Sequence, residues 1–168
     1  MPKLNAHEIA YISGWFPKYR LLSDNATEKT RDQTNVAAHA VFYCLTDELL
    51  ESRCVKRCNV LIQLRCDGCF GFHGGFIDAT DKSIVSGLNR EIEEELGISS
   101  EEIQVTTEDF VAEHYCEETG VKLCLYVKKV GIKTYCDLEK VALERGDFGG
   151  EVFGLCRVPC FVDTANKM

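Results

Sequence analysis

At 168 residues, with 45% hydrophobic and 27% charged content, the chain can bury one substantial core and has the balance of a folded globular domain. It contains no apolar run of the roughly eighteen residues needed to cross a membrane as a helix, and Met1 to Trp15 lacks the apolar centre of a secretory signal. A net charge of −8 and a pI near 5.0, with no basic cluster longer than two residues, argue against a protein that grips nucleic acid along its backbone.

Residues 1–20 mix apolar and polar side chains, with Trp15 and Phe16 after Gly14, and predict a strand or short helix docked on the domain. Ser23 to Asn35 is polar without an apolar period and predicts a loop. Residues 1–34 thus read as an N-terminal segment and polar loop on a single domain spanning 1–168. VAAHAVFYCL (Val36–Leu45) and VLIQLR (Val60–Arg65) predict strands by their β-branched and aromatic content, and Asp67-Gly68 after the second is a hairpin turn signal. GFHGGFIDATD (Gly71–Asp81) reads as a glycine-rich loop leading into a helix from about Ser83 to Leu96, with Asp81 or Ser83 as its cap and Gly97 at its end. Glu101 to Val130 predicts two strands joined at Glu117-Glu118-Thr119-Gly120. Thr134 to Gly146 predicts an amphipathic helix, and Glu151 to Pro159 a strand. Strands on both sides of a central helix give a mixed α+β sandwich.

Ten cysteines in a chain without an export signal default to reduced thiols. Cys66 and Cys69 form a C-x-x-C near Cys54 and Cys58, which raises a zinc site. Their places flanking a turn, and their loose spacing from the other cysteines, favour the role of small apolar residues.

The helix carries the chemistry. Advancing about 100° per residue from Ile84, the side chains of Leu88, Ile92, Val85 and Leu96 fall between about 40° and 120°, one inward stripe. Glu95 falls at about 20°, inside that stripe, Glu91 at about −20° on its edge and Glu94 at about −80°, while Glu93 points away. Glu91, Glu94 and Glu95 therefore share one side at i, i+3 and i+4, where like charges repel and burial without a partner is costly. A solvated helix face would not place carboxylates in the apolar stripe. Arg90 is one compensating charge, and a hard divalent cation, Mg²⁺ or Mn²⁺, is the ligand that oxygen donors in this arrangement suit. Gly87, at about −60°, is read as leaving room beside the carboxylates for a close approach.

REIEEELGI, Arg90 to Ile98, resembles the core of the Nudix box, and Gly74-Gly75 resembles the glycines that open it. The gap from Gly75 to Arg90 is one residue longer than usual, and Lys82, with Asp81 beside it, stands where the box has an early glutamate that supports the loop. With AAHAVFY before it and GGEVFGLCRVP after it, the stretch is similar to the group of Nudix proteins that contains snoRNA- and mRNA-decapping enzymes and (deoxy)inosine diphosphatases. The resemblance implies the α+β Nudix fold and a metal-dependent hydrolase of nucleoside diphosphate-linked substrates, either nucleotides or the capped 5′ end of an RNA. With so acidic a chain, an RNA would be held at its cap. The resemblance also implies Mg²⁺ or Mn²⁺ on Glu91, Glu94, Glu95, the Gly74 carbonyl and Glu151, with Glu94, Glu95 and Glu151 catalytic. His39, which on its own reads as a strand histidine, matches a purine contact; Phe72, otherwise a core residue, lines the base pocket; Arg65, otherwise a surface arginine, can hold phosphate. Glu151 on its own is a polar residue opening a strand. His73 stands where the group usually has proline. Nuclear and cytoplasmic location follows from the same resemblance; a homodimer is allowed for, and no membrane partner is expected from a chain without a long apolar run. The group continues past Arg157-Val158-Pro159 with a C-terminal helix, so with Met168 as the last residue, pocket closure, dimerisation or substrate range is expected to differ. The alternative is a non-catalytic RNA-binding or protein-interaction member of the fold; such relatives have lost the helix glutamates that this chain keeps.

Overall fold

The structure, a computed structural model, describes residues 19–23, 35–46, 49–50, 54–97, 101, 103–144 and 148–163. Its reference strand is β2, Val36–Leu45, which follows β1, Tyr19–Ser23. Along β2, Ala38, Ala40, Phe42 and Cys44 are buried while His39, Val41 and Tyr43 are half-buried, the two-residue period of a sheet with one face on the core. Next come β3, Leu49–Leu50, and β4, Cys54–Arg65. From Cys58 onward β4 shows the same alternation, with Asn59, Leu61 and Gln63 buried. The short strands β5, Phe70–Gly71, and β6, His73–Phe76, precede helix α1, Ile84–Leu96. After it come β7, Phe110–Cys116, β8, Val121–Lys129, helix α2, Ile132–Val141, and β9, Val152–Asp163.

Among the described residues the nine strands form one mixed sheet, ordered β1-β7-β8-β2-β4-β3 along its main path. One edge of β2 runs parallel to β8. Its other edge is shared: Ala37–Ala40 lie opposite β6 and Phe42–Leu45 opposite β4, both antiparallel. β9 pairs antiparallel with nearly the whole of β4. The sheet and helices α1 and α2 enclose one continuous core, in which Phe42, Leu61, Leu88, Ile92, Leu96, Tyr135 and Leu138 are almost wholly withdrawn from solvent. This is the α+β architecture that the resemblance implies.

Several expected boundaries shift. GFHGGF is not all loop, because His73–Phe76 forms β6 against β2. The glycines there serve close packing rather than a turn: a Cβ on Gly74 would lie 2.2 Å from the Ala38 carbonyl oxygen. β4 starts at Cys54 rather than Val60, its polar first half paired with the tail of β9, and β9 itself runs on to Asp163. α2 starts at Ile132. The Asp67-Gly68 signal holds: β4 and β5 form a hairpin in which Gly68 takes φ +79°. Expectations for residues 1–18 and 24–34 lie outside the described residues.

Candidate functional site

The site is built around α1. Ser83 caps the helix, its hydroxyl accepting the Ser86 N–H at 3.1 Å, and Gly97 ends it in the left-handed conformation at φ +68°. Leu88, Ile92 and Leu96 are buried, which fixes the rotation of the helix and sets where its carboxylates point. Glu95 is the most enclosed, its side chain 10% exposed, against 21% for Glu91 and 56% for Glu94.

Glu95 is held by neutral donors. Gln63 Nε2, from β4, donates to its Oε1 at 3.0 Å, and the Gly74 backbone N–H, from β6, donates to its Oε2 at 3.0 Å. His73 Nδ1 lies 3.4 Å from the same Oε2, but neither nitrogen of this fully buried ring makes a hydrogen bond. The second glycine of the pair makes room for Glu91: a Cβ on Gly75 would lie 2.5 Å from Glu91 Oε2. Burial raises the Glu91 pKa above the ordinary carboxylate value, and its hydrogen bond from Arg90 opposes that rise.

Arg90 is the positive centre of the cluster. Its Nη1 lies 2.7 Å from Glu91 Oε1 and 3.3 Å from Glu94 Oε2, and its Nη2 lies 3.1 Å from Asp81 and 3.4 Å from Asp78. It does not touch Glu95, so the sole cation in contact with the helix carboxylates among the described residues leaves the most buried one to amides. The Asp81 pKa is lowered chiefly by its hydrogen bond from Arg90, and that of Arg90 is raised by the same bond. Asp81 also accepts the Asp78 N–H at 2.9 Å. The loop support that the resemblance ascribes to an early glutamate is thus provided here by Asp81, next to Lys82.

Gly87 serves this support and not a ligand, contrary to expectation. A Cβ there would lie 2.5 Å from Asp81 Oδ2 and 2.9 Å from Ile77 Cδ1. In an open helix Gly→Ala would stabilise by roughly 1 kcal/mol. Gly87→Ala is expected instead to destabilise by about 1–3 kcal/mol, because it overpacks the Asp81–Arg90 contact. Urea unfolding of the two proteins checks the sign.

His39 senses Glu95, Arg65 and His73. Burial lowers the His39 pKa, Glu95 pulls it upward, and Arg65 and His73 add to the lowering. His39 Nδ1 is buried without a hydrogen-bond partner. Arg65 leans across Gly71, its Cδ lying 3.0 Å from where a Cβ would stand, and pairs with Asp67 at 3.2 Å. Phe72 is half-buried between β5 and β6. Glu151 stands in the turn before β9. Its carbonyl accepts the Cys66 N–H at 2.9 Å, which sets it beside the end of β4, but its exposed side chain pairs with none of the helix carboxylates.

Sequence reasoning missed Gln63 as a site residue and gave His73 no role. The available signal for Gln63 was a polar side chain at an inward position of an otherwise apolar strand. No group of three His, Cys, Asp or Glu side chains converges on one point among the described residues. The donor set nevertheless suits a hard divalent ion. All three helix groups are carboxylates, two already face a cation, and the third is oriented by fixed amides.

A family model described as Nudt16-like, U8 snoRNA-decapping enzyme-like, matches residues 36–168. The chain is similar to a U8 snoRNA-decapping enzyme of Mus musculus, 38% identical over 126 residues, which are 75% of this chain and 65% of that protein. It is similar also to the U8 snoRNA-decapping enzyme of Xenopus laevis, 35% identical over 128 residues, 74% of this chain and 59% of that one. A Tudor-interacting repair regulator protein of Mus musculus is 34% identical over 126 residues, 74% of this chain and 58% of that protein. The chain therefore spans somewhat less than two thirds of the length of these relatives.

Proposed function

The chain belongs to the Nudt16-like family of Nudix proteins, and from that premise we propose that it is a divalent-metal-dependent hydrolase of nucleoside diphosphate-linked substrates. The substrates proposed are m7G-capped snoRNA or mRNA ends, (deoxy)inosine diphosphates, or both, met in the nucleus and cytoplasm. The observation that carries the reading is Glu95: a carboxylate in the apolar stripe of α1, contacted by no arginine or lysine among the described residues and oriented by Gln63 and the Gly74 N–H.

Glu91, Glu94, Glu95, the Gly74 carbonyl and Glu151 would hold Mg²⁺ or Mn²⁺. The chemistry such an ion supplies when bound is neutralisation of phosphate charge and polarisation of phosphorus and water. Arg90 must then release Glu91 and Glu94, and its bonds to Asp81 and Asp78 keep it beside them. Glu151 would complete the set from the β4–β9 side.

Selectivity falls to the residues around His39. Phosphates are common to every nucleotide, so discrimination needs an aromatic surface and a polar partner at the base edge. Phe72 and His39 supply these, with Arg65 exchanging Asp67 for substrate phosphate. kcat/KM measured for inosine, guanosine and adenosine diphosphates and for capped RNA tests the assignment. Phe72→Ala is expected to raise KM for purine substrates about tenfold or more, the worth of one base stack. His39→Ala is expected to change the ratios between purines, and Arg65→Ala to weaken all substrates alike. Unchanged purine ratios in His39→Ala would return His39 to an ordinary strand position.

The likeness to a Tudor-interacting repair regulator supports a second reading, an interaction module without turnover. Product analysis on the same panel separates the two. Hydrolysis of any member with Mg²⁺ or Mn²⁺ favours the enzyme, and none with either ion favours the module.

A further inference from the structure

The β4–β9 ribbon carries two thiols side by side. Cys58 on β4 lies directly opposite Cys160 on β9. Opposed residues of an antiparallel pair point to the same face, with Cα atoms roughly 4.5–5.5 Å apart, inside the roughly 4.4–6.8 Å range that disulfides span. The face is the solvent side. Asn59, Leu61 and Gln63 turn inward, so Cys58 alternates outward; it is half-buried and Cys160 is exposed. Leu45, opposite Cys58 on β2, is 55% exposed, so the row from β2 to β9 is open to reagents. The Cys160 thiol is close enough to add to the effect of burial in raising the Cys58 pKa. Both are free, as is every other cysteine whose side chain is described. The ribbon irregularity between Lys56 and Cys58 falls next to the pair, where an extra residue in β4 already bends the ladder.

We propose that Cys58 and Cys160 are a thiol-modification site that closes to a reversible cross-strand disulfide. The oxidant is a low-molecular-weight disulfide. The deprotonated Cys160 sulfur attacks one of its sulfurs, and the other half leaves as a thiol after taking up a proton. The Cys58 sulfur, giving up its proton, then attacks Cys160 Sγ and expels the second half. One protein S–S bond forms, one reagent S–S bond is spent, and two electrons and two protons pass to two small thiols. Cys160 goes first because it is the exposed partner, while burial and its neighbour's thiol raise the Cys58 pKa and keep it protonated. The bond ties β4 to a strand distant in the chain, so it restricts the unfolded state strongly.

The test equilibrates the full chain with a series of reduced and oxidised glutathione, blocks free thiols with an alkylating agent and maps the linked peptides. The expected result is a Cys58–Cys160 cross-link, an intact mass lower by two hydrogens, and a Tm raised by roughly 5–10 °C, reversed by dithiothreitol. Cys58→Ser and Cys160→Ser should each lose both changes while keeping the Tm of the reduced protein; a Cys66→Ser/Cys69→Ser variant should keep both. A cross-link that maps to Cys66 and Cys69, or oxidation that stops at a glutathione adduct on Cys160, overturns the proposal.

Discussion

Glu95→Gln is expected to lower turnover on the order of a thousandfold, with the fold intact. The charge that a divalent ion would need is lost, while shape is kept. The local hydrogen bonds also survive. The new amide oxygen can accept the Gly74 N–H, and its NH₂ can face Gln63, whose own Oε1 is buried without a partner and becomes the acceptor when that amide turns over. The stability cost should therefore stay within about 1 kcal/mol. Excess chelator should match the loss of rate in the unmodified protein. The measurement pairs kcat at saturating Mg²⁺ or Mn²⁺ with urea unfolding, and undiminished turnover in a folded Glu95→Gln protein would remove the metal site from the account.

Gly74→Ala should do the reverse and break the fold. Gly74 has φ +129°, a conformation that side chains strain to adopt. Its Cβ would meet the Ala38 carbonyl oxygen at 2.2 Å, Leu88 Cδ1 at 2.8 Å and His39 Cα at 3.0 Å. Two of these are backbone atoms of β2, so relief requires β6 to part from β2. A loss of about 4 kcal/mol or more is expected, read as a collapsed urea midpoint. Gly75→Ala is the contrast: its Cβ meets only the movable end of Glu91 at 2.5 Å. That variant should fold and lose activity. Equal stability in Gly74→Ala and Gly75→Ala would contradict the packing described for β6.

The elements most legible in the sequence are those where one period dominates. Helix α1 was found with its cap and its end because Leu88, Ile92 and Leu96 repeat at helical spacing between Ser83 and Gly97. β2 was found at its observed bounds because it is continuously apolar or aromatic apart from His39. The first half of β4 was not, because Lys56 and Arg57 break the apolar alternation and the pairing with β9 is a tertiary matter. In the sequence β6 reads as loop because its glycines signal flexibility locally, and only the close approach of β2 explains them. Within the site, the carboxylate face followed from helix geometry. The partners around those carboxylates did not, because Gln63 and His73 approach Glu95 from β4 and β6, Asp81 reaches Arg90 from a loop, and no spacing rule in one dimension joins these to α1.

The pairing of β4 with β9 bears on how the protein is born. Gln63 and Arg65 leave the ribosome well before Val152 to Asp163, the strand that covers their outer edge. During that interval β4 presents an unpaired ladder, in a nascent chain whose β2, α1 and β8 have already emerged. Strand edges of this kind recruit other chains, and contacts so distant in sequence close slowly. This edge is therefore where wrong pairing of the nascent chain is expected, and a helper that binds extended apolar segments would act on this strand first.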